Sequence, residues 1–575
     1  MLHNRKLFAV MSLLMVASVV LSACGGAATT VAPTQPPPPT AVPPTEPPPP
    51  TAAPPEFEGM AYPEAGPADC AYGGIMKHIE AVDELTVKFT LCEPDPAFRS
   101  KVAFSSLGIH SAAQLEATGG GGDLLEQALG TGPYMVEEWV RGDHLTLVAN
   151  PDFWEEPAKT ERIIFKWNPE ATARFTALQS GEADGIDNPD PNDFPAIEGD
   201  SSLTLYPRTA LNVFYVGMNN FFPPFDDERV RQALAMGIDR QAIVDKYYPP
   251  GSEVASHFTP CAIPGGCEGE SWYEYDPEGA KALLAEAGYA DGFDVTVSYR
   301  DVVRGYLPAP GKVAEEIQAQ LKEYGINVTI EVQESGTFIT NAGEGKLPFF
   351  LLGWGADFPD MVNFVDVFFG AGASPRFGDL YPDIVEVLAE ARTLADQGER
   401  NKLYAEANTL IKQHSPMVAV AHGGSATVFK ADVEGAHSSP LSTEIWRVLE
   451  APDRDTLVWM QNAEPLSLYC ADETDGETLR ACEQIFDALL SYKIGSTEVE
   501  PGLAESCDPN ADLTEWTCNL RPGVTFSDGT PLTANDVVAT FAVQWDAAHP
   551  LHVGNSGLFE YWTFLFASFL NPPPQ

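Results

Sequence analysis

Phe293-Asp294-Val295-Thr296-Val297-Ser298-Tyr299, then Val313, Ile317, Leu321 and Tyr324 at helical spacing, then Ile326-Asn327-Val328-Thr329-Ile330-Glu331-Val332 form the stretch that decides the fold. The outer segments alternate apolar and polar side chains with the two-residue period of a strand, and the four residues between them share one helix face. Strand, helix and strand in so short a span predict a β-α-β unit with parallel strands, because the helix carries the chain back across the sheet. Phe349-Phe350-Leu351-Leu352-Gly353-Trp354 follows, an almost continuous apolar run of the kind found in strands covered on both faces. Open α/β sheets bind ligands beyond the carboxyl ends of their strands. That rule singles out Arg300 and Arg304 after the first strand, and Trp354 and Asp357 after the third.

Working outward, Leu85-Thr86-Val87-Lys88-Phe89-Thr90-Leu91 and His144-Leu145-Thr146-Leu147-Val148 alternate as half-buried strands. Asp226-Asp227 caps an amphipathic helix with Val230, Ala233, Leu234 and Ile238 on one face, expected to continue towards Tyr247. At the start, Arg5 and Lys6 precede an apolar stretch from Leu7 to Leu21, and Leu21-Ser22-Ala23-Cys24 completes a secretory signal with a lipidation box. Residues 1–24 are therefore expected to be an export signal, with Cys24 the lipid-bearing mature N-terminus. Residues 25–56 are expected to be a linker, since the 26 residues from Val31 to Glu56 hold 13 prolines and cannot build a core.

The other 519 residues suffice for two or three domains. Lys and Arg number 33 against 82 Asp and Glu, a net charge of −49, which opposes binding to nucleic acid and to anionic membranes. Besides Cys24 there are eight cysteines in sequence-local couples, Cys70/Cys92, Cys261/Cys267, Cys470/Cys482 and Cys507/Cys518. Disulfides suit an exported chain, and although eight cysteines allow 105 pairings, local pairing is the expectation, best supported for Cys507/Cys518 across the turn Asp508-Pro509-Asn510. The absence of CxxC and HExxH motifs argues against zinc, and no cofactor is expected.

From Asp455-Thr456-Leu457-Val458-Trp459-Met460 onward, the chain resembles the start of a mature family 5 extracellular solute-binding protein, the peptide, dipeptide and nickel receptors of ABC importers. The likeness rests on Pro501-Gly502-Leu503-Ala504-Glu505-Ser506, Leu513-Thr514-Glu515-Trp516-Thr517, and the stretch from Leu520-Arg521-Pro522-Gly523-Val524-Thr525-Phe526-Ser527-Asp528-Gly529-Thr530 to Val538. Gly130-Thr131-Gly132-Pro133-Tyr134, Asn150-Pro151-Asp152-Phe153-Trp154 and Pro224-Phe225-Asp226-Asp227-Glu228-Arg229-Val230-Arg231-Gln232-Ala233-Leu234 extend it. The order is unusual, because 455–570 resembles the family's N-terminal quarter and 57–450 the remainder, as in a circular permutation. The resemblance implies a periplasmic-binding-protein-like α/β fold, two lobes around a hinge with a smaller extra domain in the first lobe. The expected parts are 57–130 with 493–575 as the extra domain, 131–245 with 426–492 as the first lobe, and 246–425 as the second.

What the resemblance implies for function is a non-enzymatic receptor, monomeric and lipid-anchored on the extracytoplasmic face, that delivers peptides to an ABC permease. A ligand zwitterion buried between lobes needs a carboxylate for its amine and a cation for its carboxylate. Asp357, in Gly353-Trp354-Gly355-Ala356-Asp357, matches the family position that binds the peptide α-amine, with Asp360 as its rival and a helix-capping role as the structural alternative. Arg304, in Arg304-Gly305-Tyr306, resembles the position that holds the α-carboxylate in dipeptide-selective members, where a guanidinium fork fits. Trp354 is expected to wall the pocket, and the acidic turn Asp472-Glu473-Thr474-Asp475-Gly476-Glu477 to face it from the first lobe. Oligosaccharide is the alternative ligand. A secreted hydrolase is the alternative of another class, disfavoured because no GxSxG motif is present and Gly423-Gly424-Ser425 does not complete one.

Overall fold

The computed structural model describes residues 57–301 and 304–572, so the export segment, Cys24 and the proline tract lie outside the described residues. In the stretch that decides the fold, Asp294–Arg300 pairs in parallel with Asn327–Gln333, Asp294 opposite Asn327 and Arg300 opposite Gln333. Helix Pro310–Lys322 makes the crossover. Phe349–Gly355 borders Asp294–Arg300 on its other side and runs antiparallel to Asn212–Met218. Met417–His422 and the short Glu253–Val254 complete a sheet of six strands. Helices Glu228–Gly237, Arg240–Tyr247, Pro277–Glu286 and Pro310–Lys322 cover one face, and Val365–Phe369, Pro382–Ala391 and Gln397–His414 the other. Burial on both faces is why Phe349, Phe350, Leu351 and Leu352 can all be apolar.

Two expectations differ from the structure here. The helix expected to run from Asp226 to Tyr247 is two helices: Asp227 caps the first on the Arg229 N–H at 2.9 Å, and Asp239 caps the second on the Ala242 N–H at 2.9 Å. An aspartate can stop and restart a helix without disturbing the apolar period that runs through it. The lobe boundary expected at 245 also falls earlier in the sheets, since Asn212–Met218 is a central strand of the six-stranded sheet. Its Val213-Phe214-Tyr215-Val216-Gly217-Met218 run is wholly buried, so nothing in its pattern says to which sheet it belongs.

A second sheet orders seven strands as Tyr134–Val140, His144–Ala149, Arg162–Trp167, Thr456–Gln461, Gly185–Asp187, Ser425–Lys430 and Leu203–Arg208. The chain passes between the two sheets at 209–211 and again at 423–424. Asn212 clasps the second passage, its amide donating to the Gly423 carbonyl and accepting from the Gly423 N–H, both at 2.8 Å. A Cβ at position 423 would stand 2.0 Å from the Gly305 carbonyl oxygen, so only glycine fits.

A third sheet joins Ala61–Tyr62, Met76–Asp83 and Thr86–Leu91 to Glu515–Leu520 and Ala504–Pro509, with Phe89 opposite Trp516 at the seam. Thr86–Leu91 alternates between half-buried and buried positions, as its sequence period requires. The phenol of Tyr62 and the amide of Asn571 both donate to the Asp546 carboxylate, so residues from the two ends of the described chain meet on one side chain. The four disulfides join Cys70 to Cys92, Cys261 to Cys267, Cys470 to Cys482 and Cys507 to Cys518.

Phe89 sits at that seam with its ring 5.1 Å from both Phe98 and Phe541. Phe89→Ala is expected to destabilise this domain by about 3–5 kcal/mol, lowering the urea midpoint of its unfolding transition; an unchanged midpoint would mean the seam carries no core.

Candidate functional site

The two passages floor a cleft of about 690 Å³ between the seven-stranded and six-stranded sheets. Asn188, Arg208 and Ser425 line it from the first, and Arg300, Arg304, Tyr306, Trp354, Asp357 and Arg376 from the second. Helix Glu560–Phe566 adds Tyr561 and Phe564 from the third domain, and Phe564 leaves 52% of its surface exposed there.

Asp357 follows the buried strand Phe349–Gly355, whose C-terminal end delivers it to the cleft. Its carboxylate accepts the Asn363 side-chain N–H at 2.9 Å, and the Asn363 carbonyl takes the Asp357 backbone N–H at 2.9 Å. No cation pairs with Asp357 among the described residues. Withdrawal from water pushes its carboxyl up to about 6, against the smaller opposing pull of Asn363. Asp360 is committed elsewhere, accepting from the buried Arg400 at 2.8 Å and from the Val362 N–H at 3.0 Å. Arg304 lines the cleft on a one-residue bridge to Leu307, and Arg300 donates to the Tyr306 phenol at 3.1 Å. Trp354 stands edge-on to Phe368 at 5.4 Å and donates to Asn363 at 3.4 Å, so it forms the wall beside Asp357.

The first lobe meets the cleft through a buried quartet of charges. Arg208 donates to Asp187 at 2.9 Å and to Glu444 at 2.6 Å, and Arg480 donates to the same two carboxylates at 3.0 and 2.9 Å. All four side chains are at most 4% exposed. Burial works to raise the Glu444 carboxyl, but the two guanidiniums prevail and hold it well below the usual carboxylate range. Of the acidic turn, Thr474 reaches the cleft. Asp472 instead grips the third domain, accepting the backbone N–H groups of Ser556, Gly557, Leu558 and Phe559 within 3.0 Å and so fixing the start of the helix that carries Tyr561 and Phe564. Asp475 caps helix Gly476–Ile485.

The family model for bacterial extracellular solute-binding proteins, family 5 middle, matches residues 40–375 and 498–557. The chain belongs to this family. Among its relatives, a di/tripeptide-binding protein 1 of Pseudomonas aeruginosa is 32% identical over 393 residues, 66% of this chain and 72% of that protein. Heme-binding protein A of Haemophilus influenzae is 30% identical over 392 residues, covering 67% of this chain and 70% of that one. Among solved structures, HbpA2 from Haemophilus parasuis superposes with a TM-score of 0.60 at 35% identity, over 64% of this chain and 73% of that one.

The strand-end rule singled out Arg300, Arg304, Trp354 and Asp357, and the structure gathers all four in one cleft. Sequence reasoning missed Arg208, Arg376, Tyr561 and Phe564, which come from a strand end, a short turn and a helix of the third domain. The Glu444 quartet yields a direct test. Glu444→Gln leaves two buried guanidiniums short of charge and is expected to cost about 3–5 kcal/mol at neutral pH. A carboxyl depressed by folding stabilises above its ordinary value of 4.5, and that stability drains away as pH falls below it. Acid unfolding monitored by circular dichroism should therefore be steeper in the wild type than in the variant, and equal slopes would refute the assignment.

Proposed function

We propose that the protein is an extracytoplasmic receptor that binds di- or oligopeptides in this cleft and hands them to an ABC permease. The supporting observation is Asp357, a desolvated carboxylate with no cation paired to it among the described residues, in a cleft whose other charged lining residues are arginines. A carboxylate withdrawn from water with Asn363 as its side-chain partner and no cation is costly to keep ionised, and a ligand ammonium would supply the missing charge-assisted partner. Arg304 would receive the ligand carboxylate and Trp354 would flank its backbone. The passages at 209–211 and 423–424 serve as the hinge for closure. We read Cys24 as a lipid anchor and the receptor as a monomer with no nucleic-acid partner.

Binding by calorimetry tests this reading, with alanine di- and tripeptides set against malto- and cello-oligosaccharides. Asp357→Asn is expected to weaken peptide binding about 10- to 100-fold, the worth of a hydrogen bond to a charged group. Binding of an ammonium requires the ionised carboxylate and expels a proton below the folded value near 6. Wild-type affinity should thus rise by up to about tenfold per pH unit below 6, level off above it, and lose this dependence in the variant. Sugar binding indifferent to Asp357 would keep a receptor and discard the peptide.

We also read the segment order as a circular permutation. Family matches fall in two separate stretches, and Tyr62 and Asn571 share Asp546. A reordered chain running 453–572, a short Gly-Ser joint, then 57–452 should melt within a few degrees of the natural order and bind the same ligands; a chain that fails to fold would contradict the permutation.

A further inference from the structure

Among the described residues that line the cleft, Asp357 is the one acidic side chain, against Arg208, Arg300, Arg304 and Arg376. Arg208 is absorbed by Asp187 and Glu444. Arg376 is held differently. Its Nη1 donates to the Tyr215 phenol at 3.1 Å, its guanidinium lies over the Phe368 ring at 5.0 Å, and its Nε is buried without a hydrogen-bond partner. Among the described residues no carboxylate comes within the 4.0 Å of an ion pair with it.

The position is built rather than incidental. Arg376 sits in the short turn Pro375–Phe377, whose Pro375 and Arg376 carbonyls both accept from the Asn219 amide at 3.2 Å. Asn219 and Tyr215 are each 0% exposed and belong to or follow the central strand Asn212–Met218, so the arginine is anchored to the sheet at both its backbone and its tip. The Phe368 face and the Tyr215 phenol hold the guanidinium without neutralising it, so its charge stays available at the cleft, and the guanidinium fork matches a carboxylate in two parallel hydrogen bonds. Arg376, Phe368, Trp354, Asn363 and Asp357 form one wall of contacts, the cation at one end and the carboxylate at the other.

We propose that Arg376 binds a carboxylate of the ligand, so that the receptor favours peptides presenting one at the far end of the Trp354–Phe368 wall. The carboxylate is either an acidic side chain, with the C-terminus on Arg304, or the C-terminus itself, in which case Arg376 takes that role in place of Arg304. This inference rests on the peptide reading above.

The test compares wild type and Arg376→Gln by calorimetry against two pairs of ligands: tri-alanine with its C-terminal amide, and Ala-Glu with Ala-Gln. If Arg376 meets the C-terminus, the variant loses about 10- to 100-fold for tri-alanine and little for the amide. If it meets a side chain, the same loss appears for Ala-Glu and not for Ala-Gln. A variant that binds all four as the wild type does, or loses equally for all, overturns the proposal. Arg376→Lys keeps the charge without the fork and is expected to lose less than the glutamine variant; it stands in should Arg376→Gln melt below the assay temperature. Should the wild type bind no peptide, the peptide reading fails separately. Thermal stabilisation by N-acetylglutamate, which has carboxylates and no free amine, then decides: stabilisation that Arg376→Gln abolishes supports the site, and equal or no stabilisation overturns it.

Discussion

The quartet of Asp187, Arg208, Glu444 and Arg480 is the constraint on which the rest of the cleft depends. It ties the end of strand Gly185–Asp187 and the end of strand Leu203–Arg208 to the loop at Glu444 and to helix Gly476–Ile485. Four charges sealed from water tolerate almost no displacement, because any separated pair would leave an uncompensated ion in a medium of low dielectric. Arg208 is the last residue of its strand, and the first passage to the second lobe begins at the next residue. The hinge therefore starts from a rigid point. Arg480 also donates to Gln461 at 3.1 Å, which extends the lock to the central strand Thr456–Gln461.

The second lobe is constructed on the opposite plan. Among the described residues, its cleft wall has Asp357 without a cation and Arg376 without an anion, each steered by neutral neighbours, Asn363 and Tyr215. The first lobe pairs its buried charges with one another, whereas the second holds these two without a counter-ion among the described residues. The third domain lines the cleft through Tyr561 and Phe564, positioned by the four backbone N–H groups gathered on Asp472. Phe358, next to Asp357, is buried in the third domain's core with Lys101 5.4 Å above its ring, so Asp357 is coupled in space to that domain.

Much of this was legible in the sequence because the β-α-β unit from Phe293 to Val332 combines a period of two with a period of 3.6, and few folds satisfy both. The strand-end rule then placed Arg300, Arg304, Trp354 and Asp357 without any knowledge of tertiary contacts. Asn212–Met218 was misplaced because a strand buried on both faces has no period that identifies its sheet, and the break at Ile238 was hidden because the apolar face continues across it. Arg376 was invisible for another reason: it sits in a three-residue turn, and an arginine in a turn reads as solvent-exposed until Tyr215 and Asn219 are seen to hold it. Tyr561 and Phe564 lie some two hundred residues from Asp357 in sequence, and no local period shows the Asp472 contacts with residues 556–559 that set their helix at the cleft.

The crystal structure of the protein grown with a di- or tripeptide measures the central claim most directly. The account predicts the peptide enclosed between the sheets, its amine nitrogen about 3 Å from a carboxylate oxygen of Asp357 and its backbone along Trp354. A peptide bound elsewhere, or bound in the cleft with its amine turned from Asp357 and that carboxylate still held by Asn363 alone, would contradict it.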